Sequence, residues 1–195
     1  QSRFSPSLMN YSEHGFFPPF SEKSQTGLNI QDCRGTPFYT VRNPQQHYPS
    51  FAAIPPLVVG SLLFIEDRKL LAAEPAEANP AVDWPRFTKA ALSQLGKHAG
   101  VQDQSAGGST LATQLEKYRH SPDGLTGSGA EKIRQMVSAS VRAYQGGPAT
   151  SQARQRIVRD YLNRVPLSAV PGPGEVHGMA EGLRVWFGAD FRPVN

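Results

Sequence analysis

The sequence predicts a mainly α chain with a small β element at its front. Three observations carry that expectation. From about residue 56 onward, apolar residues recur at helical spacing in successive segments. The 18 glycines and 17 prolines imply much irregular chain outside those helices. Ahead of them, "GLNIQDCRGTPFYTVR" (27–42) reads as two short strands turning near Arg34-Gly35.

Taken in order, residues 1–26 hold "FFPPF" and several serines without a helical period, and read as an irregular arm before a domain spanning 27–195. A connector ends at Pro55-Pro56, and proline suits a first helical turn, so a helix is expected from Pro56 to about Ala73. After a gap rich in Ala, Pro and Glu, Asp83 caps a helix through about Leu95, with Pro85 in its first turn. "QDQSAGGS" (102–109) is a loop, and Ser109 or Thr110 begins the next helix. Another loop, "SPDGLTGSG" (121–129), precedes a helix whose face is traced by Ile133, Met136, Val137, Ser140, Val141 and Tyr144. Past the "GGPAT" break, Ile157, Val158, Tyr161, Leu162 and Val165 trace a further helix. "AVPGPGE" (169–175) reads as a rigid loop, and His177 to Phe187 as the last short helix.

A chain of 195 residues is long enough for one well-packed domain. Its charge of +4 and pI near 9.4 suit an anionic partner such as phosphate or acidic lipid. The basic residues are scattered and not interleaved with aromatics on one face, which argues against nucleic acid. Cys33 is the sole cysteine, so an intrachain disulfide and a cysteine-built metal site are both excluded. His14, His47, His98, His120 and His177 have no metal-ligand spacing, and no metal-binding residues are assigned. The longest apolar stretch, Ile54 to Ile65, falls short of the roughly 20 residues that a membrane span needs.

Three stretches could carry chemistry. In "LLFIEDRKLL" (62–71), helical spacing puts Leu62 one turn before Glu66 and Leu70 one turn after it. A carboxylate on such a face is desolvated, which favours a group that trades protons near neutrality. Asp67 and Arg68 stand next to it and could tune its charge, although a solvent-facing acid paired with Lys69 accounts for the same cluster. In "GGSTLATQLEK" (107–117), two glycines and a Ser-Thr pair at a helix start can present N–H groups and hydroxyls to an oxyanion. No lysine precedes Ser109, so this is not a nucleotide P-loop, and Ser109 serves equally as an N-cap. Gln114 and Lys117 lie one turn apart there. In "EKIRQ" (131–135), Lys132 and Gln135 share a face with Ala139 and Arg142, beside the apolar stripe. A cationic face containing a small residue can admit a phosphate.

The order of these stretches is more specific than any one of them. "FIEDRKLL", "GGSTLATQLEK", "EKIRQMVSASVRAY" and "RIVRDYLNRVPLSA" together resemble the successive motifs of glycosyltransferase family 51. These are the peptidoglycan glycosyltransferases of class A penicillin-binding proteins and of monofunctional transglycosylases. "AAIPPLVVGSLLFIEDR" is similar to the family's approach to its first motif, and "EGLRVWFGAD" to a downstream segment. The resemblance covers about residues 27–191.

It implies a lysozyme-like, mostly α fold with two lobes, the smaller facing a membrane. It implies an enzyme that polymerises lipid II, moving a glycan from a polyprenyl-pyrophosphate donor to a sugar 4-hydroxyl with inversion. Glu66 is then the general base. Lys117 and Lys132 match family lysines suited to the charge on the leaving pyrophosphate. Ser109, Thr110 and Gln114 match the second motif and line the donor cleft, and Asp67 and Arg68 complete the first. The implied cofactor is a divalent cation, Mg or Mn. The implied partners are lipid II, the membrane surface and cell-wall assembly proteins, at the outer face of a bacterial inner membrane.

Several positions depart from the pattern. Gln135 stands where the third motif has a glutamate, and an amide neither titrates nor holds a cation by charge. Leu70, Thr113 and Tyr118 replace an aromatic, a glutamine and an asparagine. The chain stops at Asn195, before the family's last helices, which implies that a longer parent chain supplies the rest of the core. Retention of Glu66, Asp67 and Arg68 argues for an enzyme. Loss of the second glutamate argues for the alternative, an impaired member acting as a binding or assembly module.

Overall fold

Helices dominate the computed structural model, as the periodicity predicts. It describes residues 28–41, 48–72, 76–83, 88, 109–120, 126–171 and 174–189. The arm expected at 1–26, nearly all of the helix expected from Asp83 to Leu95, and most of the loops at 102–109 and 121–129 lie outside these residues.

The chain enters as an antiparallel hairpin of β1 (Leu28–Gln31) and β2 (Pro37–Val41), with Ile30 opposite Tyr39. Its turn is built by Asp32, whose Oδ1 accepts the N–H groups of Arg34 at 2.8 Å and Thr36 at 2.9 Å. These two bonds hold the Asp32 carboxyl below its ordinary pKa. Gly35 takes the left-handed φ of 81° that closes the turn.

Helix α1 (Pro56–Glu66) starts at the predicted proline but stops seven residues before Ala73. The cause is local. Asp67 adopts a non-helical φ of −159° and its Oδ1 accepts the N–H of Lys69 at 3.2 Å, offering the backbone a turn in place of another helical bond. Leu70 therefore does not continue the helix face of Leu62. It folds under α1 into the core, where it is buried.

The centre is made by α2 (Leu111–His120), α3 (Gly129–Tyr144) and α4 (Ser151–Arg164). Leu111 and Leu115 of α2 pack with Val158, Tyr161 and Leu162 of α4, together with Tyr48, Ile54 and Leu70. Helix α3 is capped by Ser128, whose hydroxyl accepts the Glu131 N–H, while Glu131 Oε2 reaches back to the Gly127 N–H at 2.7 Å. The predicted stripe is inward only in part: Met136 and Val141 are buried, Ser140 and Tyr144 half-buried, and Ile133 and Val137 exposed. Gln135, Ser138, Ala139 and Ala143 turn inward as well, and the three small ones let α3 approach α2 and α4 closely.

Residues 76–81 are tied to this centre by side chains. Thr150 Oγ1 lies 2.9 Å from both Ala76 O and Ala78 O, its one hydrogen shared between them, and Arg154 Nη2 donates to Ala78 O at 2.8 Å. Tyr144 and Asn79 add bonds to Glu77 O and Ser140 Oγ.

The loop and helix expected beyond Val165 resolve differently. β3 (Pro166–Val170) and β4 (Gly174–His177) form a second antiparallel hairpin, and α5 begins at Met179 (Met179–Phe187). Gly178 makes this join possible, with φ 82° and ψ 148°. A Cβ there would lie 2.6 Å from the Asn163 carbonyl oxygen. Because backbone cannot move aside as a side chain does, Gly178→Ala should destabilise the fold by about 2 kcal/mol or more, read as a melting temperature several degrees lower.

Candidate active site

Glu66 is the last residue of α1, half-buried beside the negative end of the helix dipole. A donor comes to it from α2, with Gln114 Nε2 3.2 Å from Glu66 Oε2. The other end of that amide is held from α4, where the Tyr161 hydroxyl donates to Gln114 Oε1 at 3.1 Å. Tyr118 lies one turn beyond Gln114, its ring centroid 6.3 Å from that of Tyr161. Burial first, then the negative charges that Tyr118 and Glu66 can carry, drive the Tyr161 phenol far above its ordinary pKa. Tyr118 is raised as well, again chiefly by burial. Both phenols therefore stay protonated across the range where Glu66 would work.

The Ser-Thr start of α2 is a hydroxyl cluster. Thr110 is the N-cap: Thr113 N–H reaches Thr110 Oγ1 at 3.3 Å, and Thr110 N–H reaches Thr113 Oγ1 at 2.9 Å. The Thr110 hydroxyl is buried and donates to Ala81 O at 3.2 Å. Ser109 is half-buried, with Oγ 3.1 Å from Thr113 Oγ1, and is the member of the pair nearer solvent.

The remaining expected residues are dispersed around this centre. Lys117 is half-buried on α2, one turn past Gln114. Arg68 turns back on its own helix end, its guanidinium 3.9 Å from the Phe64 ring centroid and its Nε donating to Phe64 O at 3.1 Å. Asp67 serves the turn after α1, as described above. Lys132 is half-buried in the first turn of α3. Gln135 is buried, its amide paired with Thr126 Oγ1 at 3.3 Å from Oε1 and 3.2 Å from Nε2. Glu66 and Gln135 thus have different partners: Glu66 is tied to α2, and Gln135 to the segment before α3.

Gln135 brings no charge, and no group of three or more His, Cys, Asp or Glu among the described residues could hold a metal ion.

Residues that periodicity treated as packing turn out to matter here. Tyr161 reads as one apolar position among five on α4, yet its hydroxyl reaches Gln114. Two residues on, Asn163 clamps the Tyr48 backbone, accepting its N–H at 3.2 Å and donating to its carbonyl at 2.9 Å. Glu116 is 1% exposed on the side of α2 away from Glu66. It accepts from Arg142 Nε at 2.7 Å, Arg119 Nη1 at 3.0 Å and Ser138 Oγ at 2.7 Å. A cavity of about 180 Å³ borders this cluster, walled by Arg119, Arg142, Arg156 and Asp160. Glu116 and Asp160 already engage two of those arginines, so the cavity is a packing feature of the helix junction.

A protein-family model described as Transglycosylase matches residues 34–195 of this chain. No curated protein matches it.

Proposed function

The chain belongs to the transglycosylase family, glycosyltransferase family 51, and from that premise we propose that it joins lipid-linked peptidoglycan units with Glu66 as the general base. The donor is a glycan on a polyprenyl pyrophosphate, as in lipid II. The acceptor is a sugar 4-hydroxyl. Its oxygen attacks the anomeric carbon as the bond to pyrophosphate breaks. The proton passes to Glu66 and the bonding electrons leave with the pyrophosphate, giving inversion.

The observation that carries this reading is the Glu66–Gln114 hydrogen bond, which joins the first and second motifs across 48 positions of sequence. Lys117 and Lys132 absorb charge on the leaving pyrophosphate. Ser109, with the hydroxyl cluster of Thr110, lines the donor side, and Asp67 and Arg68 border the base. Gln135 contributes hydrogen bonds only, and no step is assigned to a metal ion.

A membrane surface fits the same reading. Helix α1 is apolar almost throughout, yet Leu57, Phe64 and Ile65 are 81%, 64% and 77% exposed and none of its residues is fully buried. Such a face suits the boundary between headgroups and acyl chains, where a polyprenyl tail would also lie. No described helix is long and apolar enough to cross a bilayer.

Gln135 favours a second reading, a member that binds the lipid-linked glycan for assembly without turning it over. The test is to incubate the full-length protein with labelled lipid II in detergent and analyse the linkage of any product. A new β-1,4 bond supports the enzyme; unreacted, bound lipid II supports the second reading. Within the enzyme reading, Gln135→Glu should raise turnover about tenfold, which corresponds to about 1.4 kcal/mol. Thr126 Oγ1 already sits within reach of both amide ends and can donate to a carboxylate, with Lys132 one turn before. Initial rates for the two proteins check this.

A further inference from the structure

We infer that Tyr161 is a positioning residue for Glu66, fixing the Gln114 amide so that its NH₂ group, and not its oxygen, faces the carboxylate. The inference rests on the reading of Glu66 as base and extends it to α4, which no part of that reading requires.

Gln114 can point either end at Glu66, and the two ends have opposite consequences. With Nε2 toward the carboxylate, the amide stabilises the charged form. With Oε1 toward it, two oxygens face each other unless the carboxyl carries a proton. Glu66 alone leaves this choice open, because a protonated carboxyl accommodates the flipped amide. Tyr161 removes the choice. Its hydroxyl is 3.1 Å from Gln114 Oε1 and, being held far above its ordinary pKa, acts as a donor throughout the working range. Its hydrogen is aimed at that oxygen, which turns the amide oxygen to α4 and the NH₂ to α1.

Tyr118 stands behind Tyr161, their ring centroids 6.3 Å apart. The link from Tyr161 through Gln114 to Glu66 cannot pass protons, because an amide does not relay one at neutral pH. Its role is orientation: Glu66 Oε2 is engaged by Gln114, and Oε1 is left to the acceptor hydroxyl.

The other titratable groups near Glu66 are Asp67, Arg68 and Lys69 along its own chain, Tyr118 on α2 and Tyr161 on α4, with Lys117 one turn past Gln114. Only the Tyr161 hydroxyl is removed by Tyr161→Phe, and the ring that packs in the core is kept. Freed, the amide samples both orientations, and the flipped one sets its oxygen against the Glu66 carboxylate and leaves that carboxylate without its donor.

The experiment reads the Gln114 side-chain amide by ¹⁵N NMR in the full-length wild type and in Tyr161→Phe, with lipid II kinetics on the same samples. In Tyr161→Phe the expected result is that the Gln114 NH₂ protons exchange with solvent at least tenfold faster, while kcat falls about tenfold and KM stays within twofold. Unchanged exchange in Tyr161→Phe overturns the inference, as does a fall in kcat with unchanged exchange. If Tyr161→Phe fails to fold, the wild type decides: nuclear Overhauser contacts from the Gln114 NH₂ to the Glu66 side chain support the inference, and contacts to the Tyr161 ring in their place overturn it. The amide measurement needs no turnover, so a fixed amide in a protein that never reacts would retain the positioning role while refuting Glu66 as the base of a reaction.

Discussion

Glu66→Gln should lower glycosyl transfer by about 10²- to 10⁴-fold, the range in which a positioned general base contributes, with the fold and lipid II binding retained. The side chains have the same shape, and a glutamine oxygen can still accept from Gln114 Nε2. What it cannot do is take the proton of the acceptor hydroxyl. Glu66 is half-buried and ends its helix, so no buried charge is stranded by the change. Stability should move by less than about 0.5 kcal/mol, as for ordinary surface changes. Initial rates with labelled lipid II and a melting curve separate the two effects. A variant that lost rate and stability together would mean that Glu66 acts as a structural residue.

The second large effect concerns stability. Glu116→Ala should cost about 3 kcal/mol, the low end of what breaking a buried ion pair costs. Glu116 is the acceptor that allows Arg142 of α3 and Arg119 of α2 to meet, and its second oxygen holds the Ser138 hydroxyl. Its removal leaves two guanidinium groups facing one another beside a cavity, and a buried hydroxyl without that acceptor. The cost stays at the low end because both arginines are partly exposed and can turn toward water. For a chain of this length that is a melting temperature about 10 °C lower. Glu116→Gln should recover little of the loss, because it restores the shape without the charge. A shift of only a degree or two in Glu116→Ala would show that the cluster contributes no more than a surface pair. The result bears on function, because α2 carries Glu116 on one side and Gln114 on the other.

Much of this architecture was legible in the sequence, and the failures have identifiable causes. The first hairpin could be read because Asp32 and Gly35 are both turn residues with a mechanism. Pro56 marked the start of α1 for a similar reason. The end of α1 was misplaced because the apolar spacing of Leu62 and Leu70 continues through it, while the Asp67 turn that breaks it depends on one side-chain bond. The face of α3 is legible in part: Met136 and Val141 are buried as their spacing predicts, and hydrophobicity misplaces Ile133 and Val137. Close packing against α2 and α4 selected Ser138, Ala139 and Ala143, and left Ile133 and Val137 outside. The β3–β4 hairpin was missed because its prolines and glycines look like loop and most of its side chains are exposed, so no alternation marked it.

The candidate site divides in the same way. Motif order brought Glu66 and Gln114 forward, and the structure sets them in contact. Tyr161 lies in the motif "RIVRDYLNRVPLSA" but is not singled out as a site residue, because a ring on an apolar helix stripe reads as packing and only the direction of its hydroxyl distinguishes it. Glu116 carried no signal at all, since an acid between a leucine and a lysine reads as ordinary helix surface.

The measurement that tests the central claim most directly is the stoichiometry of leaving-group release. The full-length protein is incubated with doubly labelled lipid II, and free polyprenyl pyrophosphate is counted against new glycosidic bonds. One pyrophosphate released for each bond formed, abolished in Glu66→Gln, is the predicted result. Saturable binding of lipid II with neither product, the same in wild type and variant, would contradict it.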